Sequence, residues 1–171
     1  RLRHPPLIII PREWPRRLWR MLRELLSIAG LESLERYAEK IERFLEEVDR
    51  AHGLRTAVVF GSHAKKQATQ YSDVDMVIVC RNLPENWFDR LKVVGRHAKF
   101  PLQAPIFTGE ELEEVVRRPS FVVLDAIVEG IPLRDDGTWE GAKQIFHEIT
   151  KKYSLRKEGR KWYFDPKAVP Y

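Results

Sequence analysis

Hydrophobic residues recur at helical spacing in the first third of the chain. Between residues 31 and 52 they form one stripe, with Glu, Lys and Arg on the opposite face, which is the pattern of an amphipathic helix. A shorter stripe follows Pro15, a residue suited to the first turn of a helix, and ends at Gly30. The sequence therefore predicts two N-terminal helices, the second of which stops at Gly53.

The pattern changes at Leu54, where apolar and β-branched residues become consecutive, as in buried strands. We expect strands at residues 56–60, 73–80, 102–107, 131–133 and 161–164. We expect helices at residues 85–98, 108–117, 121–129 and 139–153. In the helix at 85–98, Trp87, Phe88, Leu91 and Val94 are expected to form the apolar side, and Pro105 favours an edge position for the third strand.

This order of elements predicts an α+β fold, a small sheet backed by helices with an N-terminal helical extension. We expect three segments along the chain. Residues 1–53 form an arm and two helices, residues 54–136 form the core, and residues 137–171 form a last helix and a basic tail.

Composition excludes several classes of protein. The chain has 171 residues, 43% hydrophobic and 32% charged, which is typical of a folded globular protein. The single cysteine, Cys80, excludes a disulfide framework and a cysteine-based zinc site. No apolar run approaches the roughly 20 residues needed to cross a bilayer. We therefore expect a cytoplasmic protein, and the scarcity of Asn and Gln beside abundant charge favours a thermophilic source.

The net charge of +5 is unevenly distributed. Residues 1–30 contain seven Arg and two Glu, and residues 151–171 contain seven Lys or Arg and two acids, so each end has a net charge of +5. The middle contains 16 basic and 21 acidic residues and has a net charge of −5. Basic ends of this kind attract nucleic acid or another polyanion, or else they are solvated or pair with the acidic centre.

Two aspartates mark the start of the second predicted strand. Strand alternation places Asp73 and Asp75 on the same face. Two ionised carboxylates at this spacing repel each other, and a divalent cation bound to both removes the repulsion. Oxygen ligands suit Mg²⁺ or Mn²⁺. In the alternative interpretation, the aspartates cap the strand or pair with nearby Lys or Arg side chains.

A turn that suits phosphate precedes these aspartates. Gly61 ends the first predicted strand, and Ser62 begins a short helical segment. Backbone N–H groups at such a turn bind phosphate oxygens, and a glycine allows close approach. Lys65 and Lys66 add positive charge, although Ser62 also suits a simple helix cap. A phosphate-binding turn facing paired carboxylates predicts metal-assisted phosphoryl or nucleotidyl transfer.

The spacing Gly61-Ser62, ten residues, Asp73-Val74-Asp75 resembles the minimal nucleotidyltransferases of the DNA polymerase β superfamily. The likeness extends from about residue 54 to residue 136. It implies binding of a nucleoside triphosphate, with ATP favoured, and of Mg²⁺, followed by transfer of a nucleoside monophosphate to an acceptor hydroxyl. By this resemblance Gly61 and Ser62 hold the triphosphate, and Asp73 and Asp75 are the catalytic metal ligands.

Two positions depart from the family pattern. A third carboxylate is common in the family on the strand where this chain has Gln103, a neutral residue and a poor base. A glycine usual a few positions after the Gly-Ser pair is replaced by Lys66. Asp89, Glu110 or Asp125 are candidates to replace the missing carboxylate.

The alternative function is a catalytically weak or inactive nucleotide-binding module. Such a module resembles the antitoxin-like family members that pair with a helical nuclease toxin. Helix 31–52 or the N-terminal arm then provides the surface for the partner protein.

Overall fold

The computed structural model describes residues 22–118 and 121–165, except for the side chain of Phe121. The helices are α1 (Leu22–Ile28), a 3₁₀ helix (Glu32–Tyr37), α2 (Ala38–His52), α3 (Gly61–Ala64), α4 (Trp87–His97), α5 (Gly109–Arg117), α6 (Phe121–Glu129) and α7 (Thr138–Tyr153). The strands are β1 (Leu54–Phe60), β2 (Val74–Cys80), β3 (Leu102–Gln103), β4 (Ile106–Thr108), β5 (Ile131–Asp135), β6 (Arg156–Glu158) and β7 (Lys161–Tyr163).

A mixed sheet with the strand order β3-β2-β1-β5 forms the centre of the fold. β1 is antiparallel to both β2 and β5, while β3 and β4 run parallel to β2 at the edge. The predicted strand 102–107 is divided between β3 and β4, because Pro105 has no N–H group to donate to the sheet. The α+β fold with a small mixed sheet backed by helices is confirmed.

Helices cover both faces of this sheet. Alternate strand residues such as Ala57 and Met76 pack with α1 and α2, while Val58 and Val77 pack with α5, α6 and α7. Burial on both faces explains why the strands are continuously apolar instead of alternating. Cys80 belongs to the first of these clusters, and burial raises the pKa of its thiol to about 12.

The N-terminal helices differ from their predicted form. The stretch 31–52 begins as the 3₁₀ helix and becomes α-helical only at Ala38. Its apolar stripe lies inside the core, where Ile41, Phe44, Leu45 and Val48 are fully buried. The hypothesis that this helix offers its apolar side to a partner protein is therefore wrong. The N-terminal arm, the start of the first predicted helix and Ser120 lie outside the described residues.

The predicted apolar side of α4 is wrong. The helix turns three large side chains to solvent, namely Trp87, Phe88 and Leu91. Arg90 and Val93 are buried instead. The guanidinium of Arg90 donates two hydrogen bonds to the carboxylate of Glu111 on α5, at 2.6 and 2.8 Å. A buried, paired arginine therefore takes part in the packing of α4, which the hydrophobic spacing alone did not indicate.

The C-terminal tail forms a small hairpin of β6 and β7, of which the sequence predicted only β7. Lys157 on β6 lies 2.7 Å from Asp125 on α6 and also contacts Glu129. Trp162 on β7 donates a hydrogen bond to Asp125 at 2.8 Å. For Lys157, pairing with the acidic centre is therefore the correct interpretation of the basic tail.

Candidate functional site

The turn after β1 brings Gly61 against the second aspartate. Phe60, the last residue of β1, is paired with Asp75 on β2. Gly61 follows with a φ of +68°, a conformation that strongly favours glycine. A Cβ atom at Gly61 would lie 2.3 Å from Oδ2 of Asp75, which is closer than real Cβ contacts allow. The turn and the carboxylate therefore share one corner of the fold.

The two aspartates influence each other at the start of β2. Asp73 is exposed just before the strand, and Asp75 is half-buried within it. The pKa of Asp75 is raised, first by burial and then by the negative charge of Asp73, while Lys65 opposes the shift. A pair of carboxylates with this mutual repulsion attracts a cation.

Gln103 lies beside the pair. It is the register neighbour of Asp75 across the parallel β2–β3 contact. Its amide Nε2 donates a hydrogen bond of 2.9 Å to Oδ2 of Asp73. An uncharged side chain therefore lies next to the aspartates, at the position where the family resemblance implies a third carboxylate.

No other acid completes the set within residues 22–118 and 121–165, where no group of three His, Cys, Asp or Glu side chains is arranged to hold a metal. Asp89 instead forms an ion pair with Lys92 on α4. Asp125 is occupied by Lys157 and Trp162. In the described part of the chain, none of Asp89, Glu110 and Asp125 therefore joins the two aspartates as a third metal-holding acid.

The two lysines of the loop point to different places. Lys65 forms an ion pair of 2.8 Å with Glu129 on α6 and remains close enough to Asp75 to affect its pKa. Lys66 has a positive φ of 58°, which is unusual for a residue with a side chain. The end of the Lys66 side chain lies against Gly30: a Cβ atom added to Gly30 would be 2.8 Å from Lys66 Nζ. Glycine adopts a positive φ without steric cost, which explains why a glycine suits position 66.

Ser62 is half-buried on α3, directly after Gly61. The first N–H groups of any helix lack partners within it, so α3 offers donors at the corner that contains Asp75. The site thus combines two carboxylates, an ammonium group and backbone donors around one turn. This combination suits a polyphosphate accompanied by a divalent cation.

Sequence reasoning missed the residues that surround the turn. His63 is fully buried and forms a hydrogen bond of 2.8 Å with the Ser33 hydroxyl. Arg36 donates to the backbone oxygen of Thr69 at 3.2 Å. Glu129 meets Lys65 from α6. Each contact joins residues at least 30 positions apart, and no local spacing indicates it.

The family described as nucleotidyltransferase domain matches residues 41–145, which is more than half of the chain. The chain belongs to this family, and the resemblance to minimal nucleotidyltransferases is confirmed. A protein of Methanocaldococcus jannaschii, provisionally named a protein adenylyltransferase, is 38% identical over 56 residues. That match covers 32% of this chain and 38% of the relative, so it spans well under half of the relative's length.

Two solved structures are also similar. A provisionally assigned nucleotidyltransferase from Sulfolobus solfataricus is 26% identical, with a TM-score of 0.42 over 50% of this chain and 79% of the other. A toxin–antitoxin structure with AMP-PNP is 17% identical, with a TM-score of 0.48 over 66% of this chain and 86% of the other. Both scores are below 0.5, so family membership rests on the sequence match. Among the described residues, no helix is both long and apolar enough to span a membrane.

Proposed function

We propose that this chain is a metal-dependent nucleotidyltransferase that moves a nucleoside monophosphate from a nucleoside triphosphate, ATP in the first instance, to an acceptor hydroxyl. The hydroxyl oxygen bonds to the α-phosphorus, the bond to the β-phosphate breaks, and pyrophosphate and the hydroxyl proton leave. Family membership supports transferase chemistry. The observation that carries the proposal is the close approach of the Asp75 carboxylate to Gly61, because it brings the acidic pair and the turn to one place.

The aspartates fit a divalent cation. Mg²⁺ and Mn²⁺ prefer oxygen ligands, and Mg²⁺ is commonly bound by one or two carboxylates together with substrate phosphates. Asp73 and Asp75 would hold such an ion, whose positive charge would offset both the burial and the repulsion from Asp73 that raise the pKa of Asp75. When bound, the ion supplies charge stabilisation to the phosphate oxygens.

The other residues of the turn bind and orient the triphosphate in this proposal. Gly61 admits a phosphate close to the backbone, and N–H groups from Ser62 onward donate to its oxygens. Lys65 adds a positive charge beside Asp75 while Glu129 limits its movement. The end of the Lys66 side chain lies against Gly30, whereas Lys65 lies close enough to Asp75 to affect its pKa, so we assign Lys66 a weaker role than Lys65.

Gln103 favours a second candidate function. An amide is a poor proton acceptor, so it gives the attacking hydroxyl little assistance. Binding of the nucleotide then persists while transfer is slow or lost. In that case the chain is an antitoxin-like module that binds a partner protein. The hydrogen bond from Gln103 to Asp73 is the specific observation in its favour.

The experiment measures binding and transfer separately. ATP affinity with Mg²⁺ or Mn²⁺ is determined by calorimetry, and transfer is followed with ATP labelled at the α-phosphate in the presence of hydroxyl-bearing protein acceptors. Asp73→Asn is compared with Asp89→Asn, which makes the same chemical change on α4, where Asp89 pairs with Lys92. We expect Asp73→Asn to weaken binding and abolish any transfer, and Asp89→Asn to change neither.

Three results distinguish the alternatives. Transfer by the wild type that is lost in Asp73→Asn supports the enzyme. Binding without transfer, with transfer gained in Gln103→Asp but not in Gln103→Asn, supports the module. Absence of ATP binding with either metal, or equal binding by the wild type and Asp73→Asn, contradicts both.

A further inference from the structure

Residues 30–36 touch the connection between Gly61 and Asp73 at three points. The Ser33 hydroxyl lies 2.8 Å from Nδ1 of His63. Arg36 donates to the Thr69 carbonyl at 3.2 Å. The end of the Lys66 side chain lies against Gly30. All three contacts come from a segment that precedes the family match, which begins at residue 41.

The connection needs support of this kind. Its helix, α3, has only four residues, and an isolated helix of that length is unstable. The position of Ser62 relative to Asp75 therefore depends on contacts with the rest of the fold. His63 is the one residue of α3 that is fully buried, so the contact that holds its ring helps to orient the turn, together with the ion pair between Lys65 and Glu129.

The partner of His63 is well placed to hold the ring. Ser33 lies on the exposed side of the 3₁₀ helix, while the imidazole points inward. Burial is the main cause of the lowered pKa of His63; a hydrogen bond with the backbone of Ser72 opposes the shift, and the charge of Arg36 adds to it. The net lowering of the pKa keeps the imidazole neutral near pH 7. A neutral ring has one donor and one acceptor nitrogen, and a hydroxyl can satisfy either one.

We propose that Ser33 is a positioning residue for the candidate nucleotide site and acts through His63, with Arg36 supporting the same connection at Thr69. The inference rests on the proposed function, since it concerns how that site is held in shape. It assigns part of the site to a segment that lies outside the matched domain.

The test compares Ser33→Ala with Thr56→Val in the full chain. Thr56 donates a hydrogen bond, also of 2.8 Å, to Asp135 in the interior, several residues along β1 from the turn. Both variants remove one hydroxyl hydrogen bond, and the control removes the more deeply buried one. We expect Ser33→Ala to weaken Mg²⁺-dependent ATP binding about fivefold, the effect of losing one hydrogen bond. Thr56→Val leaves the affinity unchanged, and Ser33→Thr, which keeps a hydroxyl, retains most of it.

Hydrogen exchange without nucleotide gives a second readout. In Ser33→Ala the amides of residues 62–67 exchange faster than in the wild type, whereas in Thr56→Val they do not. Equal affinity and equal exchange in Ser33→Ala and the wild type overturn the inference. If the wild type binds no ATP, the proposed function is wrong, and the exchange comparison alone decides whether Ser33 holds the turn.

Discussion

Replacing Gly61 by alanine tests the fit between the turn and the aspartates most directly. The substitution adds one methyl group at a residue with a φ of +68°. The new Cβ atom would lie 2.3 Å from Oδ2 of Asp75 and 3.1 Å from its Cγ. Asp75 cannot retreat with its backbone, because β2 is paired with β1 at this residue. The side chain of Asp75 therefore has to rotate or shift.

The size of the effect follows from these distances. Ordinary contacts of a Cβ atom begin at 3.4 Å, so Oδ2 has to move by about 1 Å. The left-handed backbone costs a residue with a side chain about 1–2 kcal/mol, and the steric conflict adds about 1 kcal/mol. We expect the free energy of unfolding to fall by about 2–3 kcal/mol. In the proposed site Asp75 is a metal ligand, so displacing its carboxylate should weaken Mg²⁺-dependent ATP binding by about tenfold and lower any transfer rate by about a hundredfold.

Gly159→Ala is the matched control. Gly159 has a φ of +61° in the hairpin between β6 and β7, and no atom lies within 4 Å of the position that an added methyl group would occupy. Alanine there meets the same backbone cost without a steric conflict, so stability falls by about 1–2 kcal/mol and ATP affinity is retained. Denaturant unfolding and calorimetric titration measure the two quantities. Equal ATP affinity in the two variants would refute the proposed geometry.

Three further predictions concern stability. Gly130→Ala should lower the free energy of unfolding by about 3 kcal/mol in urea titrations, because the new Cβ atom would lie 2.1 Å from the Ala126 oxygen; a loss below about 1 kcal/mol contradicts this. Arg90→Met should lower the free energy of unfolding by about 2 kcal/mol at pH 7. Because Arg90 lowers the pKa of Glu111, this difference between the variant and the wild type should become smaller as the pH falls below 4.5. A difference that does not change with pH contradicts the prediction. Burial lowers the pKa of His63 from its ordinary value of 6.5, so the unfolded chain binds a proton at this residue more readily than the folded chain. The free energy of unfolding should therefore rise with pH up to about pH 6.5. In His63→Gln this rise should be absent, and an unchanged dependence of the free energy of unfolding on pH contradicts the lowered pKa of His63.

The sequence was sufficient to locate the turn and the acidic pair, because both depend on local geometry. Gly61 interrupts a run of β-branched residues, and a glycine at such a break permits the positive φ that is observed. Asp73 and Asp75 are separated by one residue, which places them on one side of any strand. The strand begins at Val74, one residue later than predicted, but the pairing of the aspartates does not depend on that boundary.

Contacts between distant parts of the chain were not predictable in the same way. The hydrophobic spacing of α4 predicted an apolar side that includes Trp87, Phe88 and Leu91, whereas these side chains are exposed. Arg90 is buried instead and forms an ion pair with Glu111 on α5. The contact between Ser33 and His63 joins positions 30 residues apart, and the ion pair between Lys65 and Glu129 joins positions more distant still. Such pairs depend on how helices pack on the sheet, which hydrophobic spacing along one segment does not specify.

Gln103 determines which of the two proposed functions follows from this geometry. Its amide donates a hydrogen bond to Asp73 and stabilises that carboxylate without adding charge. A carboxylate at position 103 would lie beside Asp75, whose pKa is already raised by burial and by Asp73, and would increase the repulsion unless a cation were bound. With Gln103 in place, the repulsion within the acidic pair is small enough for the chain to fold without a metal. The same residue leaves position 103 without a side chain that accepts a proton well. If Gln103→Asp makes the free energy of unfolding more dependent on Mg²⁺ and also gives the chain transfer activity, then Gln103 is the residue that allows the wild type to bind nucleotide without transferring it.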